Sequence, residues 1–297
     1  MPGLVYSHPE GYRELTVDLY LPPQKSARPA TGYPLVVYIH GGAWLAGNRR
    51  LNRPFVDFPG VLALLAARGY AVASVEYRLS GEARFPAQIQ DVKGAISWLR
   101  SRSTNYGIDP ARVMTWGVSA GGYLAGLAAV SCGVTAFEPP ATPASEVTAP
   151  APKTSECLKG AVSWYGLFDF ATMAAQARNG SAISRDDAGA PEWRLLGCFA
   201  TGCTAGQIAA ASPVTYVDRH TPPMLLIAGD QDKLIPFQQT LDMADRLKAA
   251  GVSHRLVVVR GADHSLIGQT LDQTREANLS ALDQTFRFMD EIFHGKP

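Results

Sequence analysis

Residues 117–121 read Gly-Val-Ser-Ala-Gly, and the chain on either side limits what that stretch can become. The run Arg112-Val113-Met114-Thr115-Trp116 before it is apolar and partly β-branched, the make-up of a buried strand. The run from Ala120 through Gly121, Gly122, Leu124 and Ala125 to Val130 is small and apolar, the make-up of a buried helix. Small residues around Ser119 permit a sharp strand-to-helix turn that lifts the hydroxyl out of the sheet. The N–H of Ala120, at the helix start, then aims at any negative oxygen forming beside it. An isolated Gly-x-Ser-x-Gly is weak, because Gly and Ser are common. Its strand-turn-helix setting makes Ser119 a candidate nucleophile.

The same alternation runs through the chain. Leu35-Val36-Val37-Tyr38-Ile39 is a continuous β-branched run, expected as a strand covered on both faces, and Ala71 to Tyr77 is expected as a second buried strand. Leu15 to Leu21 alternates weakly and predicts an edge strand. Val61 to Arg68 has helical spacing and stops at Gly69, and Pro86 opens a helix through Ile89, Val92, Ile96 and Leu99. Further strands are expected at Gly160 to Trp164, Met224 to Ala228 and Arg255 to Val259, the last of them central. Helices are expected at Phe237 to Ala250, ended by Gly251, and at Gln273 to Phe293. This rhythm predicts one α/β domain over 1–297, a largely parallel sheet with helices on both faces. Leu167 to Ser212 breaks it and is expected to cap the site as an insertion.

Composition narrows the function. A net charge of +1 leaves no electrostatic footprint for nucleic acid or an anionic membrane, and no apolar run reaches the length of a membrane span. Met1 to Glu10 has no basic patch followed by an apolar stretch, so no signal peptide is visible there. The four cysteines suggest local pairing: Cys198 with Cys203 in a Gly/Thr-rich stretch, and Cys132 with Cys157 around the Pro/Ala/Thr-rich segment Phe137 to Pro152. Such pairing favours an oxidising compartment, secreted or periplasmic; four reduced thiols in the cytoplasm are the alternative. No Cys-x-x-Cys or clustered-His spacing calls for a metal, and no cofactor is implied.

Acyl transfer needs a nucleophile, a base, a group that orients the base, and donors for an oxyanion. Of six histidines, His264 alone follows such a strand closely, within Gly261-Ala262-Asp263-His264-Ser265. Its orienting acid is expected after Met224–Ala228, where Asp232 lies in the loop and Asp230 is better suited to cap the turn. That choice rests partly on the resemblance given below. Asp263, beside His264 in sequence, is a poor partner for the same ring. Oxyanion donors are expected at His40-Gly41-Gly42-Ala43-Trp44, after the strand Leu35–Ile39: the N–H groups of Gly41 and Gly42 with Ala120, Ala43 being a substitute. His40 is expected to brace the loop. Trp44, Trp164, Tyr165, Phe168, Trp193 and Phe199 are candidate walls of an aromatic acyl pocket, the alternative being core or cap packing.

The chain resembles the α/β-hydrolase superfamily, and within it the carboxylesterases related to hormone-sensitive lipase and to bifunctional feruloyl/acetylxylan esterases. The residues carrying the resemblance are His40 to Trp44, Glu76-Tyr77-Arg78-Leu79, Phe85-Pro86-Ala87 with Asp91, Tyr106-Gly107-Ile108-Asp109-Pro110, Gly117 to Gly122, Asp232 with Ile235-Pro236, and His264. Ala43 stands where the lipase branch usually carries a third glycine, which leans toward the feruloyl/acetylxylan branch. The resemblance implies an α/β-hydrolase fold with a small cap and a Ser119–His264–Asp232 ester hydrolase working through an acyl-enzyme. Its substrates would be short-chain, acetyl or aryl esters, free or carbohydrate-linked. An arylformamidase or peptidase on the same fold is the alternative enzyme. A non-catalytic binding module is a third reading, against which all three residues are present. Oligomeric state is left open.

Overall fold

In the run Tyr33–Ile39 every residue is buried, because successive side chains leave a strand on opposite faces and both faces are covered. Leu35, Val37 and Ile39 enter one apolar layer, and Val36 and Tyr38 the other. The computed structural model describes residues 1–23, 28–52, 55–140, 157–177, 189–198 and 202–295. Within them the chain runs β1 (Leu4–Ser7), β2 (Leu15–Tyr20), β3 (Tyr33–Ile39), α1 (Phe58–Ala67), β4 (Ala71–Val75) and α2 (Ala87–Ser101). It continues through α3 (Ser103–Tyr106), β5 (Ile108–Val118), α4 (Ala120–Val130), β6 (Gly160–Trp164), α5 (Phe170–Ala177), α6 (Pro191–Leu196) and α7 (Ala205–Ala211). The last elements are β7 (Met224–Gly229), α8 (Phe237–Ala249), β8 (His254–Val259) and α9 (Leu271–His294).

The strands form one eight-stranded sheet in the order β1-β2-β4-β3-β5-β6-β7-β8. From β4 to β8 all pairs are parallel, and β1 and β2 add antiparallel at one end. Helices α2, α4 and α8 cover one face through Ile89, Val92, Leu124, Leu127, Met243 and Leu247. Helices α1 and α9 cover the other through Leu62, Leu65, Phe286 and Met289. This is the α/β-hydrolase architecture.

Two strand expectations are corrected. Leu15–Leu21 is not an edge: Val17 pairs with Leu4 on one side and Val75 on the other. The true edge, β1, is only four residues long, too short to show a period. At the opposite end β8, expected to be central, pairs among the described residues with β7 alone, and its side chains are only partly covered. Val257 and Val259 pack against the layer that α9 covers, while Val258 on the opposite face is exposed. Cys132–Cys157 and Cys198–Cys203 are disulfide-bonded, each with Cα atoms 5.2 Å apart. Residues 141–152 of the Pro/Ala/Thr-rich segment lie outside the described residues.

Candidate active site

Ser119 joins β5 to α4 with φ 54° and ψ −121°, a backbone conformation L-residues rarely occupy. Close packing on three sides supports that strain. A Cβ added at Gly121 would lie 2.0 Å from the Ile39 carbonyl oxygen, and one at Gly117 would lie 2.1 Å from that of Gly121. The Ser119 N–H donates to the Trp164 carbonyl of β6 (2.9 Å), and all eleven residues of α4 are buried. The turn is therefore wedged between β3, β6 and its own helix, with the hydroxyl at the carboxyl ends of the strands. Ligands bind at that edge in parallel sheets.

The structure brings His264 and Asp232 to this hydroxyl. His264 Nε2 lies 2.9 Å from Ser119 Oγ, and His264 Nδ1 lies 2.8 Å from Asp232 Oδ2. A carboxylate only accepts, so Nδ1 carries the proton and Nε2 is left to accept from the serine hydroxyl. The other Asp232 oxygen, Oδ1, accepts from the N–H groups of Leu234 (2.9 Å) and Ile235 (2.8 Å), and the side chain is shielded from solvent. Tyr165 meets the imidazole edge to face, with ring centres 4.8 Å apart. Asp230, expected to cap a turn, accepts the Gly261 N–H through Oδ1 (2.7 Å), tying the loop after β7 to the loop after β8.

The loop after β3 lies against the Ser119 turn: a Cβ added at Gly41 would lie 3.3 Å from Ser119 Cβ. Ala43 and Trp44 both take left-handed φ, 55° and 58°, and the Gly42 carbonyl accepts from the N–H groups of Leu45 and Ala46. His40 braces this loop as expected. Its ring stacks on Tyr77 at 4.4 Å, and its Nδ1 lies 2.7 Å from the Gly41 carbonyl oxygen. Burial pushes the imidazole down to about 4, so at neutral pH it is uncharged and donates to that carbonyl from Nδ1–H. Farther along, Arg49 binds Asp18 (2.7 Å) and Glu76 (2.5 Å), while Arg50 also binds Asp18 (2.6 Å). Burial alone would raise the Asp18 carboxyl; the two guanidiniums and the Gly3 N–H outweigh it and hold it below its ordinary value. This anchor escaped the sequence reading, because its partners come from three separate segments and no local spacing marks them. Arg78 and Asp91, named in the motif set, form a bidentate pair, Nε to Oδ2 (2.9 Å) and Nη2 to Oδ1 (2.7 Å). Burial raises the Asp91 carboxyl, and Arg78 opposes the rise without cancelling it.

The candidate wall residues separate by layer. Trp44 stands edge-on to Tyr123 of α4 (5.2 Å) and near Phe170 of α5 (6.1 Å). Phe168 rests on α4, its ring 3.1 Å from a Cβ added at Gly126, and Trp193 joins the same layer. Trp164 instead lies in the layer under α1 and α9. Its indole donates to Thr285 (2.9 Å), and it reaches Ser119 only through its carbonyl. Period-two alternation in β6 carried that signal, since Ala161 and Trp164 fall on opposite faces. Phe199 lies outside the described residues.

The BD-FAE family profile matches residues 17–247, from β2 through most of α8. The chain is 29% identical over 272 residues to the esterase LipC of Mycobacterium tuberculosis, covering 87% of this chain and 60% of LipC. It spans less than two thirds of the length of these curated relatives, LipC and two further esterases of the same organism. A truncated carbohydrate esterase from gut microbiota has a similar structure, with a TM-score of 0.74 and 26% identity, covering 98% of this chain and 95% of that one. A bifunctional GH43-CE protein of Bacteroides eggerthii superposes with a TM-score of 0.76 and 27% identity, covering 98% of this chain and 35% of that one. With the fold, the serine turn and the match over most of its length in agreement, the chain belongs to the BD-FAE family of α/β-hydrolases.

Proposed function

We propose that the protein is a serine carboxylic-ester hydrolase. The hydrogen-bonded line from Ser119 Oγ through His264 to Asp232 carries the reading. His264 Nε2 takes the Ser119 proton as Oγ attacks an ester carbonyl, and Asp232 steadies the imidazolium that forms. The N–H groups of Gly41, Gly42 and Ala120 stabilise the tetrahedral oxyanion; losing one such donor typically costs about 2.7–4 kcal/mol of barrier. His264 then protonates the departing alkoxide, and water releases the acyl group by the same route.

The preferred substrates are acetyl, short-chain or aryl (feruloyl-type) esters, including carbohydrate-linked ones. Similarity to a carbohydrate esterase and the family assignment support that range. Trp44, Phe168 and Trp193, in the layer shared by α4 and α5, form the acyl wall, with Tyr165 beside His264. The described residues within 167–212, including α5 to α7, act as a small cap on a single domain. Gln239 of α8 supports this by accepting from the N–H groups of Phe168 (3.1 Å) and Asp169 (2.8 Å). The two disulfides support a secreted or periplasmic location. Assaying wild type and Ser119→Ala side by side on p-nitrophenyl acetate, methyl ferulate, acetylated xylan and an arylformamide tests the proposal. Ester turnover lost in the variant is expected. A variant as active as wild type overturns the assignment, and formamide turnover above ester turnover favours the arylformamidase reading.

A further inference from the structure

The acid and the base leave adjacent strands, and the ladder between β7 and β8 ends at Gly229 and Val259. Beyond it, the main-chain bond from the Gln231 N–H to the Ala262 carbonyl (3.0 Å) and the Asp230 and Asp263 side chains join the two loops. Asp263 Oδ1 accepts the N–H of Lys233 (2.9 Å), next to Asp232, and the N–H of His264 itself (2.7 Å). One carboxylate oxygen has two lone pairs, so these bonds occupy it fully. The Asp263 N–H donates to the Ile267 carbonyl (2.8 Å), closing the loop on itself. Ser265 and Leu266 beyond it hold φ values of 60° and 55°. Buried Asn278 of α9 donates to both of their carbonyls, each at 3.3 Å. Left-handed backbone in two successive non-glycine residues persists only where its surroundings impose it.

We propose that Asp263 is a positioning residue: of the ties between the two loops, its bridging oxygen is the one that holds Lys233, beside the acid, and His264, the base itself, against each other. The inference rests on the Ser119–His264–Asp232 reading. The imidazole nitrogens go to Asp232 and Ser119, and Asp263 acts through the backbone of both loops. Asparagine keeps an acceptor oxygen with the same reach. Serine still caps the His264 N–H locally, but it is too short to span to Lys233. The pair therefore separates bridging from capping.

The test measures kcat and KM on p-nitrophenyl acetate, and the rate of inactivation by phenylmethylsulfonyl fluoride followed by intact mass. Asp263→Asn is expected to retain kcat within about threefold. Asp263→Ser is expected to lose roughly 30-fold in kcat with KM nearly unchanged, the size of effect a displaced reacting group produces. Sulfonylation is expected to slow in parallel, because it needs the same activated Ser119. Asp263→Ser with the kcat of Asp263→Asn overturns the bridge. So does a loss that appears in KM and melting temperature alone. Ser119→Ala and His264→Ala run alongside: activity in either sinks the triad, whereas inactive controls beside a fully active Asp263→Ser sink only the bridge.

Discussion

The serine turn and the histidine loop deliver partners to one hydrogen-bonded line by opposite means. Ser119 is fixed by backbone packed against backbone, within one contiguous stretch whose helix is buried throughout. His264 sits on a partly covered loop after the edge strand, held by carboxylates and an amide that bind main-chain groups. Packing leaves almost no freedom to the first. Side-chain chemistry tunes the second, so it is graded where the first is all-or-none.

That contrast breaks most visibly at the atoms proposed to react. Ser119→Ala is expected to cut kcat by about four to six orders of magnitude while leaving the melting temperature nearly unchanged. Asp232→Asn is expected to cost about four orders of magnitude in kcat, because the amide favours the wrong imidazole tautomer; pre-steady-state acylation kinetics measures the loss directly. Gly121→Ala forces a methyl group into the Ile39 carbonyl and is expected to destabilise the fold by about 3 kcal/mol or more in urea titration. A near-normal midpoint for that variant would falsify the packing account of the turn.

The smallest effect at neutral pH concerns the brace beside the turn. His40 has its folded value depressed to about 4 from 6.5, so between those limits the unfolded chain binds the extra proton. The stabilisation from neutral His40 is complete above pH 6.5 and fades as pH falls toward 4, by up to about 3 kcal/mol. His40→Asn is expected to flatten the stability–pH curve in that window, read as urea midpoints against pH. An unchanged slope would show that His40 already carries a proton.

What the amino-acid order made legible follows the same divide. Ser119, its glycines and its helix are contiguous, so composition and spacing revealed them. His264 was legible because it follows a strand with a clear apolar run; Asp232 follows another, and its choice over Asp230 rested partly on the family resemblance. The Arg49–Asp18–Glu76 anchor and the Asp263 bridge were not, since each joins segments that meet only after the sheet has formed. The edge position of β8 was hidden for the same reason: an apolar strand partly roofed by a helix has the same local pattern as one flanked on both sides.

Because the proposed base follows the last strand of the sheet, warming should reach it first. Fraying begins where a ladder has a neighbour on only one side. Gentle heating would then silence turnover while far-ultraviolet dichroism still reports an intact scaffold, and cooling would revive it.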